Sequence, residues 1–177
     1  ASALAVRAAA DHILRRVALP LLMTEPGAVP QLDAPLHEIL IGGVHLAHQS
    51  VSREVPGAGT TMTIALVVTD TVYIAHVGDT RAYLGAGDTL VRLAQDHSLA
   101  ARLVELGQVS PEEAAGGRNV LYKAVGQGEE PEPDVAYHTL GTGQYLLLCC
   151  DGLWGQVSEQ EMANTVAAAG SAASACR

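Results

Sequence analysis

The sequence predicts an α+β fold in which two antiparallel sheets pack face to face and helices cover their outer surfaces, a four-layer α-β-β-α sandwich. Residues 1–52 carry apolar side chains near helical spacing, whereas residues 61–77 are rich in Val, Ile and Thr. The predicted strands follow one another without crossover helices, which disfavours a parallel nucleotide-binding sheet.

Two helices are predicted before the first strand, and both are expected to lie on the same sheet. The first covers residues 1–19, and Pro20 should end it because proline does not continue a helix. Residues 21–35 contain three prolines and should form a loop. The second helix should cover residues 36–52, just before a glycine-rich stop.

Two β-hairpins are predicted after these helices. Residues 61–69 and 71–77 should form the first, because both runs favour strands and a turn separates them. Residues 81–84 and 90–93 should form the second, around a turn that contains two glycines.

The rest of the chain should contribute a helix, two more strands and a last helix. Ser98 is expected to N-cap the first of these helices, and Gly107 to end it. Strands are expected at residues 135–140 and 144–150. A Ser-x-x-Glu pattern from Ser158 predicts the start of the last helix.

Composition narrows the classes of protein to which the chain could belong. Hydrophobic residues make up 49% and charged residues 16%, so most of the chain should be ordered. The net charge of −9 argues against nucleic acid or an anionic membrane as the main partner. No apolar run approaches the ~18 residues of a membrane span. Three cysteines without an evident disulfide pattern favour a reducing, cytoplasmic compartment.

An apolar run at residues 145–150 leads directly into Asp151 and Gly152. We expect this run to be a strand that is buried on both faces, so that Asp151 is held rigidly at the rim of the core. Gly152 would let the backbone approach a ligand closely. Asp151 could bind a hard divalent cation, which needs oxygen ligands, or it could simply cap the next turn.

Other candidate site residues lie between the predicted strands and before a helix. Asp79 and Arg81 are expected to form a structural ion pair across a tight turn rather than a catalytic pair. Gly59 and Thr60 open the first strand, where small residues allow close backbone contact. Asp96 could be a helix cap, a solvated acid or an outer metal ligand, and the structural roles are favoured.

Taken in order, six segments resemble the metal-dependent serine/threonine protein phosphatases of type 2C, the PPM family, in their bacterial form. The resemblance covers essentially the whole chain and implies a single domain over residues 1–177. It also implies a flap beside the active site at residues 102–119, which includes Gly107, Ser110 and Asn119. The matching segments are 59–61, 76–84, 95–98, 106–113, 118–126 and 151–154.

The resemblance implies a phosphatase that hydrolyses phosphoserine and phosphothreonine with a binuclear Mg²⁺ or Mn²⁺ centre and a metal-activated water. Asp151 matches a ligand of the second metal, and Asp96 matches a ligand of a weaker third metal. Asp79 and Arg81 match a structural motif near the site. The implied substrate is a protein phosphorylated by a serine/threonine kinase, and a monomer is expected.

The sequence departs from the family pattern at both ends. The family's first metal-binding acid, its phosphate-binding arginine, its Asp-Gly-x-Gly-Gly motif and its final Asp-Asn motif have no counterpart in this chain. We therefore expect the core portion of a phosphatase domain, inactive by itself and without an identifiable catalytic residue. The alternative is a catalytically inactive phosphatase-like module that binds a phosphoprotein or a regulator. A more remote alternative is an unrelated α+β binding domain.

Overall fold

The computed structural model describes residues 1–25, 31–110, 113–114 and 120–177. None of the described helices is both long enough and apolar enough to cross a membrane. The described helices are α1 (Ser2–Ile13), α2 (Leu19–Met23), α3 (Leu36–Glu54), α4 (Leu99–Glu105), α5 (Asp151–Trp154), α6 (Glu159–Ala168) and α7 (Ala172–Ala175). The described strands are β1 (Met62–Val68), β2 (Thr71–Val77), β3 (Arg81–Ala86), β4 (Thr89–Arg92), β5 (Asp134–Thr139) and β6 (Gln144–Cys149).

The strands form two antiparallel sheets, as the sequence predicts. One sheet has the order β1-β2-β5 and the other the order β4-β3-β6. Both predicted hairpins are confirmed, with Met62 opposite Val77 in the first and Tyr83 opposite Arg92 in the second. The α+β architecture of two antiparallel sheets with helices is therefore confirmed.

Alternating side chains of β2 contribute to two apolar cores. Val72 and Ile74 pack with Ala82 of the other sheet. Ala75 and Val77 face the opposite way and join the apolar side chains of α1 and α3. The two helices pack against each other and against this sheet, while α6 packs against β4 of the second sheet. The expectation that the first two helices share one sheet is thus confirmed.

The N-terminal helix continues past the proline that was expected to end it. A π-helical turn at Leu14–Ala18 joins α1 to α2, and the helical conformation extends to Met23. In a regular α-helix, the ring of Pro20 would collide with a carbonyl one turn earlier. The wider turn places Pro20 at the beginning of α2, where a missing N–H is tolerated. The predicted stop at Pro20 is therefore wrong.

Strand β6 lies at the edge of its sheet and is not buried on both faces as expected. Among the described residues it pairs only with β3, and the side chain of Leu148 is 45% exposed. Asp151 does not end this strand but begins the one-turn helix α5. An unbroken apolar run cannot distinguish a central strand from an edge strand, because pairing depends on distant segments.

The helix caps agree with the sequence pattern where the structure describes them. The Ser98 hydroxyl accepts a hydrogen bond at the start of α4, and Ser158 forms a capping box with Glu161 at the start of α6. Ser110 Oγ accepts from the Glu113 amide at 3.3 Å. Residues 111, 112 and 115–119 of the expected flap, Asn119 included, lie outside the described residues.

Candidate functional site

A pocket of about 460 Å³ lies where the start of β1, the turn between β2 and β3, and the start of α5 meet. Gly59, Thr60 and Asp151, which the sequence predicts to lie in or near the site, line this pocket, whereas Gly152 does not. The pocket also includes Asp79, which sequence analysis assigned to a structural ion pair. The lining residues are Gly59, Thr60, Thr61, Asp79, Leu121, Ala124, Gln127 and Asp151.

The two carboxylates of the pocket influence each other. Burial raises the pKa of Asp79 above its usual value, and the negative charges of Asp151 and Asp96 raise it further. Among the described residues Asp79 forms no ion pair, and Asp151 is exposed at the start of α5. A partly buried carboxylate beside a second one, without a salt-bridge partner, is an arrangement that a bound cation would stabilise.

The expected ion pair between Asp79 and Arg81 is wrong. Arg81 instead forms a bidentate pair with Asp96, from Nε to Oδ1 at 3.2 Å and from Nη2 to Oδ2 at 2.8 Å. Gly78 has φ +110°, so the chain turns sharply just before Asp79. As a result, Asp79 lines the pocket, whereas Arg81 borders a different cavity.

Asp96 is neutralised by arginines. Arg92 Nη2 lies 2.6 Å from Asp96 Oδ1, in addition to the two contacts from Arg81, and Asp96 is 8% exposed. Asp96 borders a cavity of about 850 Å³, whereas Asp151 lines the smaller pocket. The assignment of Asp96 to a third metal stays a prediction, and Asp79 is the carboxylate that shares a pocket with Asp151.

Trp154 connects the two elements that carry these carboxylates. Its Nε1 donates a hydrogen bond of 2.9 Å to the backbone carbonyl of Asp79. Its ring lies 3.8 Å from the Arg81 guanidinium carbon, in a cation–π contact. Because Asp151 and Trp154 belong to the same helical turn, this bond fixes the start of α5 relative to Asp79. Sequence analysis quoted Trp154 only as part of a motif and did not assign this contact.

The opposite wall of the pocket is anchored to α3. Thr60 and Val125 exchange two backbone hydrogen bonds, of 2.9 and 2.8 Å. The next residue, Gly126, donates its amide to Nδ1 of the buried His48 at 3.0 Å. A Cβ on Gly59 would lie 2.7 Å from the end of the exposed Gln127 side chain, which would have to move aside. Gly152 has no such constraint, because its Cβ would meet only a sulfur at 3.5 Å.

The donor set of the pocket suits a hard cation but is small. Two carboxylates and the neighbouring threonine hydroxyls are oxygen donors of the kind that Mg²⁺ and Mn²⁺ prefer. Within the described ranges, no cluster of three or more His, Cys, Asp or Glu side chains could hold a metal ion. Asp79 has no ion-pair partner among the described residues and could therefore bind a cation. With only two carboxylates, Asp79 and Asp151 would bind it weakly.

Several known sequences similar to this chain are named as bacterial phosphatases. A family model described as Protein phosphatase 2C matches residues 43–106. Protein phosphatase PhpP of Streptococcus pneumoniae is 37% identical over 112 residues, covering 62% of this chain and 46% of that protein. Serine/threonine phosphatase stp of Listeria monocytogenes is 40% identical over 108 residues, covering 60% and 43%. The matched part is less than half the length of these curated relatives.

Solved structures show the same similarity over nearly the whole chain. The Mycobacterium tuberculosis serine/threonine phosphatase PstP/Ppp has a TM-score of 0.74 at 27% identity, covering 97% of this chain and 72% of its own. Stp1 from Staphylococcus aureus has a TM-score of 0.74 at 28% identity, covering 93% and 66%.

The fold is an α+β arrangement of two antiparallel sheets with helices, and one of its pockets is lined by two carboxylates. The sequence and structural matches agree with each other. The chain is similar to the type 2C (PPM) serine/threonine protein phosphatases of bacteria.

Proposed function

We propose that this protein is a serine/threonine protein phosphatase that removes phosphate from phosphoserine and phosphothreonine with the help of Mn²⁺ or Mg²⁺. One observation carries the proposal beyond the family relationship. Asp79 and Asp151 line the same pocket, and Asp79 has a raised pKa without an ion-pair partner among the described residues. A divalent cation bound between two such carboxylates would offset their mutual repulsion and the cost of their burial.

Within this proposal, Asp151 and Asp79 bind the cation, and a different part of the structure positions each of them. Asp151 is placed by α5, and Asp79 is fixed through its carbonyl by Trp154. Divalent cations bound there would neutralise phosphate charge and lower the pKa of water. A related structure, the catalytic domain of PstP, was solved with 2 manganese ions and is 25% identical to this chain with a TM-score of 0.71. Asp96 as a ligand of a weaker third metal stays a prediction, and its two arginine partners would compete with that ion.

The proposal extends to substrate and organisation. The substrate class is a protein phosphorylated by a serine/threonine kinase, and the protein acts as a monomer in the cytoplasm. Residues 1–177 belong to one phosphatase domain, and residues 102–119 act as a flap beside its pocket. The names of the curated relatives support the substrate class.

A Mn²⁺ titration of the 177-residue chain tests the site directly. Trp154 is the only tryptophan, and it contacts Asp79, so its fluorescence should respond to a paramagnetic ion in the pocket. Asp151→Asn and Asp79→Asn should each weaken binding by about tenfold or more, because each removes one of two charged ligands. Asp88→Asn is the matched control, since Asp88 lies exposed in the turn between β3 and β4. Equal effects of all three substitutions would rule out a metal site in this pocket.

We predict that the 177-residue chain hydrolyses p-nitrophenyl phosphate no faster than Mn²⁺ alone. A binuclear centre needs several fixed carboxylates, and the pocket has two among the described residues. A longer protein that includes the family's remaining metal-binding motifs should dephosphorylate a phosphothreonine peptide with Mn²⁺. In that protein Asp151→Asn should lower the rate about 100-fold, and Asp88→Asn should not. An inert longer protein would favour the catalytically inactive binding module.

A further inference from the structure

The peptide backbone at Gly78, one residue before Asp79, is held by two buried histidines. Gly78 donates its amide to Nδ1 of His97 at 3.1 Å, and its carbonyl accepts from the His97 amide at 2.7 Å. Nε2 of His76 lies 3.0 Å from the same carbonyl. The ring centroids of the two histidines are 4.9 Å apart, and the residues are at most 1% exposed. Neither side chain lines the pocket of Asp79 and Asp151.

The contact with the Gly78 amide determines which nitrogen of the His97 ring carries the proton. Because Nδ1 of His97 accepts from Gly78, its proton resides on Nε2. That nitrogen lies 3.1 Å from Asp134 Oδ2, off the direction of a good hydrogen bond, so the contact is mainly electrostatic. Lys123 contacts the other oxygen of Asp134 at 3.1 Å. The imidazole of His97 is thus oriented from one side by a carboxylate and from the other by Gly78.

The turn at Gly78 has little freedom to find another conformation. A Cβ at this position would lie 2.3 Å from Thr61 Cγ2, and the φ of +110° favours glycine. The next carbonyl, that of Asp79, accepts from Trp154 at 2.9 Å. Side chains therefore hold the backbone immediately before and immediately after the Cα of Asp79, and its carboxylate is the free end between them.

We propose that His97 is a positioning residue, which holds the carboxylate of Asp79 in the cation pocket by accepting the Gly78 amide at Nδ1. The inference rests on the proposed function, because it assumes that Asp79 binds a cation. The side chain of His97 does not line the pocket, and it acts on Asp79 through Gly78. Its role differs from core packing, because a residue that merely fills space would not depend on a hydrogen-bond acceptor at the position of Nδ1.

The test compares two substitutions of His97 in the 177-residue chain and holds a third in reserve. His97→Asn keeps an acceptor near the position of Nδ1, whereas His97→Leu removes the acceptor and fills a similar volume. If His97→Leu does not fold, His97→Gln replaces it, because its carboxamide extends towards Asp134 and away from Gly78. We expect His97→Asn to bind Mn²⁺ like the unsubstituted chain and His97→Leu to bind on the order of fivefold more weakly, by Trp154 fluorescence.

A double-mutant cycle separates positioning from a general loss of structure. In the Asp79→Asn background the carboxylate is gone, so His97→Leu should cause no further loss of Mn²⁺ affinity. An equal loss in both backgrounds, or the same loss with His97→Asn, would overturn the proposal.

Hydrogen exchange of the Gly78 amide provides a readout without metal. This amide should be protected in the unsubstituted chain and in His97→Asn, and it should lose protection in His97→Leu. Unchanged protection in His97→Leu would overturn the positioning role whatever the metal data show. If the exchange result is as expected but the unsubstituted chain binds no Mn²⁺, the cation site fails and with it the assignment of Asp79 as the positioned ligand, while the hydrogen bond itself stands.

Discussion

Asp79 and Asp96 both lie partly or wholly out of solvent, but their charges are compensated in different ways. Asp96 receives Arg81 and Arg92, so its negative charge is neutralised within the fold. Asp79 has no such partner among the described residues, and its pKa is raised by burial and by Asp151. A partly buried carboxylate without a partner lowers the stability of the fold unless a ligand compensates its charge. This pattern is expected of a functional carboxylate.

Asp79→Asn should therefore stabilise the metal-free chain. The substitution keeps the size of the side chain and removes the repulsion from Asp151, so the free energy of unfolding should rise by up to about 1 kcal/mol. Urea denaturation in the presence of a chelator measures this change, with Asp88→Asn as a control that should be neutral. With saturating Mn²⁺ the order should reverse, because only the unsubstituted pocket is stabilised by the ion.

Asp96→Asn should have the opposite effect to Asp79→Asn. It leaves two guanidinium groups with a weaker partner, which should lower the free energy of unfolding by about 2–3 kcal/mol. If both substitutions were destabilising to the same degree, the distinction between a neutralised and an unneutralised aspartate would be wrong.

Two sequence predictions failed at the scale of elements, and both failures depend on contacts beyond the local pattern. Pro20 was expected to end a helix, but a π-helical turn before it accommodates the ring. The run at 145–150 was expected to be buried, but its strand lies at a sheet edge. The hairpins and the caps at Ser98 and Ser158 were predicted correctly, because turn and cap residues act within a few positions of the chain.

Strand β2 carries a titratable group that should make the stability of the fold depend on pH. His76 is fully buried, and burial, followed by the nearby His97, lowers the pKa of His76 to about 4. The folded protein thus binds this proton less readily than the unfolded chain, whose histidine pKa is about 6.5. Stability from this group is complete above about pH 6.5 and is lost as the pH falls towards 4, by at most about 3 kcal/mol.

Urea denaturation between pH 7.5 and 4.5 measures this effect, with His76→Gln as the comparison. The amide side chain does not titrate, so the substituted protein should lose less stability over the same interval. Asp79 contributes to the pH dependence with the opposite sign, because its pKa is raised and the folded state therefore binds its proton more readily than the unfolded chain does. Both proteins contain Asp79, so its contribution cancels when their pH profiles are subtracted. Identical pH profiles would contradict the assignment to His76.

At the scale of the whole molecule, the sequence predicted the site in part. Gly59, Thr60 and Asp151, which the motifs place in or near the site, line one pocket, because each lies at the end of an element. The sequence did not predict that Arg81 pairs with Asp96 while Asp79 lines the pocket, because these contacts depend on the direction of one glycine turn and on two residues that lie 15 positions apart. Contacts of this kind join segments from different elements, and a local pattern contains no information about them.

Trp154 joins the turn between the two sheets to the helix that carries Asp151, so it should matter for both folding and ion binding. Trp154→Phe keeps a ring that can stack on Arg81 but leaves the Asp79 carbonyl without its donor. We expect a loss of about 1 kcal/mol in the free energy of unfolding, measured by circular dichroism. Trp154→Ala removes the stacking as well and should cost about 3 kcal/mol or more.

Titration with Mn²⁺ distinguishes the effect of the hydrogen bond from Trp154 to the Asp79 carbonyl from that of general packing. Binding is measured by calorimetry, because these variants lack the tryptophan fluorophore. If the Trp154 N–H sets the distance between Asp79 and Asp151, Trp154→Phe should weaken Mn²⁺ binding several-fold despite its small effect on stability. Gln160→Ala is a suitable control, because Gln160 donates at 3.3 Å to a carbonyl in the β3–β4 turn, away from the pocket. Unchanged Mn²⁺ affinity in Trp154→Phe would mean that the sheets and α5 alone place the two carboxylates, and that the hydrogen bond contributes only to stability.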